Sequence, residues 1–212
     1  MTAPPMPVAA RGILGDAAPR VARYAELLAG AGVERGLLGP NEVPRLWERH
    51  LLNSAVIAEL VPRLDRRCLL VDLGSGAGLP GIVLALVLPD VEVVLLEPAL
   101  RRATFLKECV ADLALGNARV VRARAEQMAG ELAADVVTAR AVAPLDRLTA
   151  MALGLLKPGG ILLAVKGARA AAEVRDAQRA LSRLGVREVA VLTAGSGKVD
   201  PAATVVRLTA PR

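Results

Sequence analysis

The rhythm of apolar and polar positions changes twice along these 212 residues. Residues 1–15, MTAPPMPVAARGILG, have no period, are rich in proline and alanine, and are expected to fray. Residues 17–31 then read as a helix, closed by Gly30-Ala31-Gly32. Pro40-Asn41 opens a second helix, with Asn41 as its expected N-cap. There Val43, Trp47, Leu51, Ala55 and Ala58 form one stripe at helical spacing, and Leu46, His50, Asn53, Ile57 and Leu60 form the neighbouring one.

From Cys68 onward, short apolar runs alternate with longer stretches of helical period. Strands are expected at 68–73, 91–97, 118–123, 136–139 and 160–166, with helices at 79–88, 100–115, 126–133, 144–156 and 168–184. Two further strands, 186–193 and 204–209, follow with only the connector AGSGKVDPAA between them. Repeated βαβ units require a parallel sheet covered on both faces, and the closing pair adds an antiparallel edge strand. The expected fold is therefore α/β and Rossmann-like: seven mostly parallel strands over residues 63–212, a helical extension over 16–62, and one structural domain overall. A ligand would sit outside the carboxyl ends of the strands.

The sharpest signal lies at the first of those ends. In LLVDLGSGAGLPG an apolar run ends in Asp72, passes through Gly74, Gly76 and Gly78, and opens a second apolar run at Leu79. A glycine turn between strand and helix lets backbone amides approach a nucleotide-like ligand with no side chain in the way. The spacing is G-x-G-x-G, because Leu79 stands where dinucleotide enzymes place their last glycine. With an acid just ahead of the glycines, the pattern points to S-adenosyl-L-methionine (AdoMet) rather than NAD. Glu97 ends the next strand nineteen positions after Gly78, where an acid accepts the hydroxyls of a ribose. Arg124-Ala125-Glu126 follows the third strand. It either meets the adenine edge with its backbone or simply starts a helix that favours an acid.

The fourth and fifth strand ends carry cations. Arg140, in TARAVAP, is a permanently charged fork suited to phosphate or to a base carbonyl edge, and Lys166, in AVKG, adds a second charge at the expected rim. No Asp/Asn-Pro-Pro-aromatic group receives the hydrogens of an exocyclic amine. Neither Cys68, entering a strand, nor Cys109, within a helix, is placed to attack a pyrimidine carbon. The two cysteines read as buried reduced thiols, with no disulfide and no metal. His50, the only histidine, is either a satisfied helical residue or, with Asn53 one turn on, a cap on the cofactor cleft.

Composition narrows the partners. With 54% hydrophobic and 23% charged residues the chain is globular rather than disordered. No apolar run approaches the roughly 20 residues that span a bilayer and no secretory leader opens the chain, so it is expected in the cytoplasm. The net charge of +6 suits a polyanion such as nucleic acid, although an arginine-rich composition alone would also produce it. Tyr24, Trp47 and Phe105 are the only aromatics, so rows of stacking rings cannot hold a single strand.

VDLGSGAGLPGI, Glu97, RARAEQ, TARAVAPL, LAVKG and WERHLLNS resemble, in order and spacing, the bacterial small-subunit ribosomal RNA methyltransferase G family, also called glucose-inhibited division protein B. The resemblance runs from about Gly36 to Gly167. It implies transfer of a methyl group from AdoMet to N7 of a guanine in 16S ribosomal RNA of the small subunit. It also implies AdoMet contacts at Gly74, Leu79, Ala125, Glu126 and Arg140, with Arg124 and Lys166 at further basic positions. This chain departs from the family at GLLGPNEVP, where an Asn-Leu-Thr stretch is common, and at Asn53, where Asp is common. A chain of this size is expected to act as a monomer. Guanine N7 has a free lone pair and no proton, so alignment and exclusion of water suffice, with no general base. The expected roles are Arg140 and Lys166 aligning the reactants and Arg124 gripping phosphates. The alternatives are a small-molecule methyltransferase or a noncatalytic AdoMet-binding module.

Overall fold

The computed structural model describes residues 1–212. Its centre is one seven-stranded sheet: β1 (Cys68–Leu73), β2 (Val91–Leu96), β3 (Ala118–Val121), β4 (Ala134–Arg140), β5 (Leu156–Lys166), β6 (Glu188–Ala194) and β7 (Ala203–Thr209), in the order β3-β2-β1-β4-β5-β7-β6. The first five strands run parallel, and β7 pairs antiparallel with both β5 and β6. The order reverses between β1 and β4, which puts the topological switch point at the end of β1.

Alternation along the strands sorts their side chains into two cores. Leu70, Val93, Leu95, Val136, Leu163 and Val205 face one side, beneath α4 (Gly81–Val87), α5 (Leu100–Asp112) and the N-terminal helices. Val71, Leu73, Leu96, Val137, Ala164 and Val206 face the other, beneath α6 (Leu145–Leu153) and α7 (Ala170–Arg183). Helices on both faces are what buried parallel strands demand.

Helical structure begins ahead of the expected extension, within the stretch expected to fray. A short helix, α1 (Ala10–Leu14), buries Ala10 and Leu14 in the first core, and Trp47 donates its indole N–H to the Pro4 carbonyl at 2.8 Å. After α2 (Ala18–Leu27) the chain makes a π-helical turn over Leu28–Gly32. The second expected helix is not one regular helix. It runs as a 3-10 helix over Pro40–Arg45, a π-helical turn over Leu46–Leu52, α3 (Asn53–Ala55) and a 3-10 turn over Val56–Leu60. Pro44 lies inside the first segment and has no N–H to continue an α-helical ladder. Gly39, not Asn41, occupies the N-cap position, with no side-chain cap.

Two later helices are also shorter than the periodicity suggests. Helix α4 starts at Gly81 because Gly78-Leu79-Pro80 completes the turn after β1. The stretch expected as a helix at 126–133 is a single 3-10 turn, Ala125–Met128, after which Gly130 takes a left-handed φ of 80°. No helix is long and apolar enough to cross a membrane.

Gly81 is where strand, helix and turn meet most tightly. A Cβ there would overlap the Leu95 side chain and the Asp72 carboxylate, both fully enclosed. Gly81→Ala is expected to destabilise the fold by about 2 kcal/mol, the range for overpacking a close-packed site, read as a lower midpoint in urea with an unchanged slope.

Candidate active site

Leaving β1, the chain takes left-handed φ values of 69°, 58° and 101° at Gly74, Gly76 and Gly78, a geometry open to glycine without strain. The turn was expected to present free amides, and it uses four of them itself, leaving the N–H groups of Ala77 and Leu79 without an acceptor within the protein. Gly74 and Ser75 donate to the Leu96 carbonyl at 2.8 and 3.1 Å, Gly78 donates to Ser75 at 2.6 Å, and Gly76 donates to Glu97 Oε2 at 3.0 Å. The carbonyl oxygens of Gly74, Gly76 and Leu79 receive no hydrogen bond within the protein. From outside, the fully buried Tyr24 of α2 donates its hydroxyl to the Ala77 carbonyl at 2.6 Å.

Beside this turn lies a cavity of about 590 Å³ at the carboxyl ends of β1, β2 and β4. Gly74, Glu97, Arg124, Ala125 and Glu126 line it, joined by Arg102 and the segment Ala141-Val142. Glu97 is buried, and its Oε1 also accepts from the Ala99 N–H at 2.9 Å, so one carboxylate ties the β1 turn to the segment after β2. The N–H groups of Ala125 and Glu126, first in their 3-10 turn, have no acceptor within the protein. That donor pair fits an adenine edge, as the buried carboxylate fits ribose hydroxyls. The cavity therefore matches the adenosine half of AdoMet in its donor and acceptor chemistry.

The remaining expected residues fall into other surroundings. Asp72 does not line the cavity. It lies beneath the turn, buried, with Oδ2 accepting from the Gly81 N–H at 3.1 Å. Burial pushes its carboxyl up to about 7, against the lowering effects of the Gly81 N–H and of Arg140. Asp72 Oδ1 and Thr138 Oγ1 are the only buried side-chain polar atoms without a partner, and their residues are register neighbours on β1 and β4. Gly76, Gly78 and Leu79 shape the turn without lining the cavity.

Lys166 is not a free cation at the rim. Its Nζ pairs with Glu173 at 2.7 Å and donates to the Ala143 carbonyl at 3.2 Å, in a separate cleft of about 500 Å³ between α6 and α7. Asn53 is separate too: its amide donates to the Glu48 and Pro201 carbonyls at 3.0 and 2.8 Å, fastening the extension to the β6–β7 connector.

His50 and Arg140, however, come together. The Arg140 Nη2 lies 2.6 Å from His50 Nδ1, and His50 Nε2 lies 2.7 Å from Glu42 Oε2. Glu42 was not singled out by the sequence. Arg140 is the last residue of β4, and Ala141 after it takes a left-handed φ of 56°, strained for a residue with a Cβ. Arg140 alternates with Ala139 along β4 and so shares the face of Val136, beneath the extension, while Ala141 and Val142 line the cavity.

The model of the GidB family, described as rRNA small subunit methyltransferase G, matches residues 18–200. The chain belongs to this family. A ribosomal RNA small subunit methyltransferase G from Thermobifida fusca is 58% identical over 201 residues, covering 95% of this chain and 84% of the relative. One of the same name from Streptomyces avermitilis is 56% identical, covering 97% and 85%. A crystal structure of a SAM-dependent methyltransferase from Aquifex aeolicus superposes with a TM-score of 0.57 at 18% identity, over 84% of this chain and 97% of that one. It confirms the Rossmann-like methyltransferase fold. GidB-family membership and methyltransferase fold agree with the cavity's position at the switch point.

All three aromatic rings are enclosed within the first core, Tyr24, Trp47 and Phe105 each at most 2% exposed. None can stack on a base, so a substrate base would have to meet polar groups and guanidinium planes.

The raised carboxyl of Asp72 makes a pH prediction. Between the ordinary carboxylate value, about 4, and about 7, the folded chain holds a proton that the unfolded chain has released. Stability from this group is complete below that window and is lost as pH rises through it. Asp72→Asn keeps an acceptor for Gly81 and removes the titration. Its melting temperature is expected to fall less steeply from pH 4 to 7 than the wild type's, in thermal scans at several pH values.

Proposed function

We propose that this chain transfers the methyl group of AdoMet to N7 of a guanine in 16S ribosomal RNA, acting on the small ribosomal subunit as a cytoplasmic monomer and using no metal. The observation that carries the reading is the cavity itself. A buried acid at the end of β2 and two unpartnered amides after β3 stand around one space, in a chain of the GidB family. AdoMet supplies an electrophilic methyl on a sulfonium. The residues around it then have three tasks: holding the donor, aligning the acceptor and excluding water.

Glu97 takes the ribose hydroxyls, Ala125 and Glu126 take the adenine edge, and Arg140 orients the amino-acid end and the entering guanine. Lys166 acts one step back by holding the segment after β4 through the Ala143 carbonyl. Arg124, exposed at the mouth of the cavity, grips phosphate, with a contribution that weakens as salt rises.

The acceptor assignment has support from what the site does with its titratable groups. Guanine N7 attacks with a lone pair and needs no base, and the groups around Arg140 hold fixed hydrogen bonds rather than a free basic nitrogen. A cysteine-linked route to a pyrimidine carbon has no support. Cys68 opens β1 at the amino ends of the strands, away from the cavity, Cys109 lies within α5, and burial pushes their thiols up to about 11 and 12.

The test is label transfer from methyl-tritiated AdoMet to small subunits prepared from cells without the enzyme, followed by nucleoside analysis. The expected product is 7-methylguanosine at a single position of 16S RNA. Label in another nucleoside overturns the acceptor, and AdoMet binding with no transfer to RNA overturns the substrate class. Arg140→Ala is expected to cut transfer at least about tenfold through lost charge-assisted contacts.

A further inference from the structure

Arg140 and Lys166 end neighbouring strands, yet their charges are treated in opposite ways. Lys166 meets a carboxylate directly, Glu173 at 2.7 Å. Arg140 is half-buried and meets none. Its close partner is the ring of His50, and the carboxylate of Glu42 stands on the far side of that ring.

The chemistry of the partners fixes the protons. A guanidinium only donates, so His50 Nδ1 at 2.6 Å must present its lone pair. The ring proton therefore sits on Nε2 and is donated to Glu42 Oε2 at 2.7 Å. A doubly protonated ring would set N–H against N–H at Arg140. The environment opposes that state: burial and then Arg140 hold His50 below its ordinary value, although Glu42 acts the other way and Arg49 adds to the lowering. Around Arg140 stand Arg49, Glu42, Tyr24 and Asp72. Tyr24 stays neutral because burial holds its hydroxyl well above the ordinary range. Asp72 gives its one partnered oxygen to Gly81.

We propose that Glu42 and His50 are positioning residues: the neutral imidazole, locked by Glu42 as the Nε2–H tautomer, aims Arg140 without neutralising it, so that its charge stays available for the carboxylate of the AdoMet amino-acid end. A carboxylate in direct contact would aim the fork equally well but would cancel its charge, as Glu173 does for Lys166. An imidazole spacer supplies orientation alone. This inference rests on the AdoMet reading and adds a task for the N-terminal extension, since Glu42 lies in the 3-10 helix over Pro40–Arg45 and His50 in the π-helical turn after it.

Two measurements test it. His50 is the only histidine, so the ring nitrogens of the labelled protein give a single set of imidazole signals in long-range proton–nitrogen correlation spectra. At pH 7 the expected pattern is protonated Nε2 and bare Nδ1, persisting as pH falls below the ordinary 6.5 of histidine. An Nδ1–H pattern, or titration at the ordinary value, overturns the lock. The second measurement compares calorimetric binding of S-adenosylhomocysteine with that of 5′-methylthioadenosine, which has the adenosine and thioether but no carboxylate. Glu42→Ala and His50→Leu are each expected to weaken S-adenosylhomocysteine by about tenfold or more, as for a charge-assisted hydrogen bond, and methylthioadenosine by less than about twofold. Glu42→Gln, which keeps an acceptor for Nε2, should recover most of the loss. Equal losses for both ligands, or none for either, overturn the positioning role while leaving the AdoMet reading intact. Failure of the wild-type protein to bind either ligand overturns both.

Discussion

The geometry of the site depends on how the chain satisfies its own backbone where it leaves β1. Seven residues separate the end of that strand from the start of α4, each of them buried or half-buried, where an amide left without a partner is costly. The three left-handed glycines let Gly74, Ser75, Gly76 and Gly78 all find acceptors. One of those acceptors is Glu97, at the end of the neighbouring strand, and the first amide of α4 is taken by Asp72 from below. Four of the turn's six N–H groups are therefore taken before any ligand arrives, and those of Ala77 and Leu79 are left. The Gly76 N–H fixes Glu97 at the wall of a space that Ala125 and Glu126 also line, and a preformed space limits the reorganisation that binding requires.

That arrangement divides the two acids of the sequence motif between different tasks. Asp72 is a structural carboxylate, hidden and partly protonated near neutral pH. Glu97 faces the cavity although loop amides hold both its oxygens. A carboxylate has about four lone-pair directions, so two amides leave it able to accept hydroxyls as well. The cations divide in the same manner, with Lys166 neutralised and spent on the segment after β4, and Arg140 aimed but not neutralised. Methylation at a lone-pair nitrogen calls for this kind of site, with fixed dipoles and one oriented charge in place of a base or nucleophile.

The strand sequence, the antiparallel closing pair, the glycine turn and Glu97 were all legible, because periods of two and 3.6 and the punctuation of glycine and proline are local properties. What escaped was decided by partners far away or by the exact winding of the chain. Asn53 reads as a companion of His50 on one stripe, yet its amide is claimed by Pro201, 148 positions on. Lys166 reads as a free cation because nothing local reveals that Glu173, in the first turn of the next helix, will reach it. Glu42 and His50 are eight positions apart, which on a regular α-helix means about 12 Å along the axis. Their contact exists because Pro44 breaks the regular ladder and the chain changes from 3-10 to π winding between them.

The helical extension thus becomes part of the site through its irregularity. Packed on the same face of the sheet as α4 and α5, it delivers Tyr24 to the glycine turn and the Glu42–His50 pair to Arg140. The adenosine corner, by contrast, is built from the ends of β1 and β2 and the turn after β3. The two groups of contacts meet at the end of β4, where Arg140 faces the extension and Ala141 and Val142 line the cavity. A disturbance of the extension therefore has two routes into the site, one through the Glu42–His50 pair to Arg140 and one through Tyr24 to the glycine turn beside the cavity. In the proposed reading, the nucleoside is held at the strand ends while the charged tail is oriented by way of the extension, and Tyr24 links the two at the glycine turn.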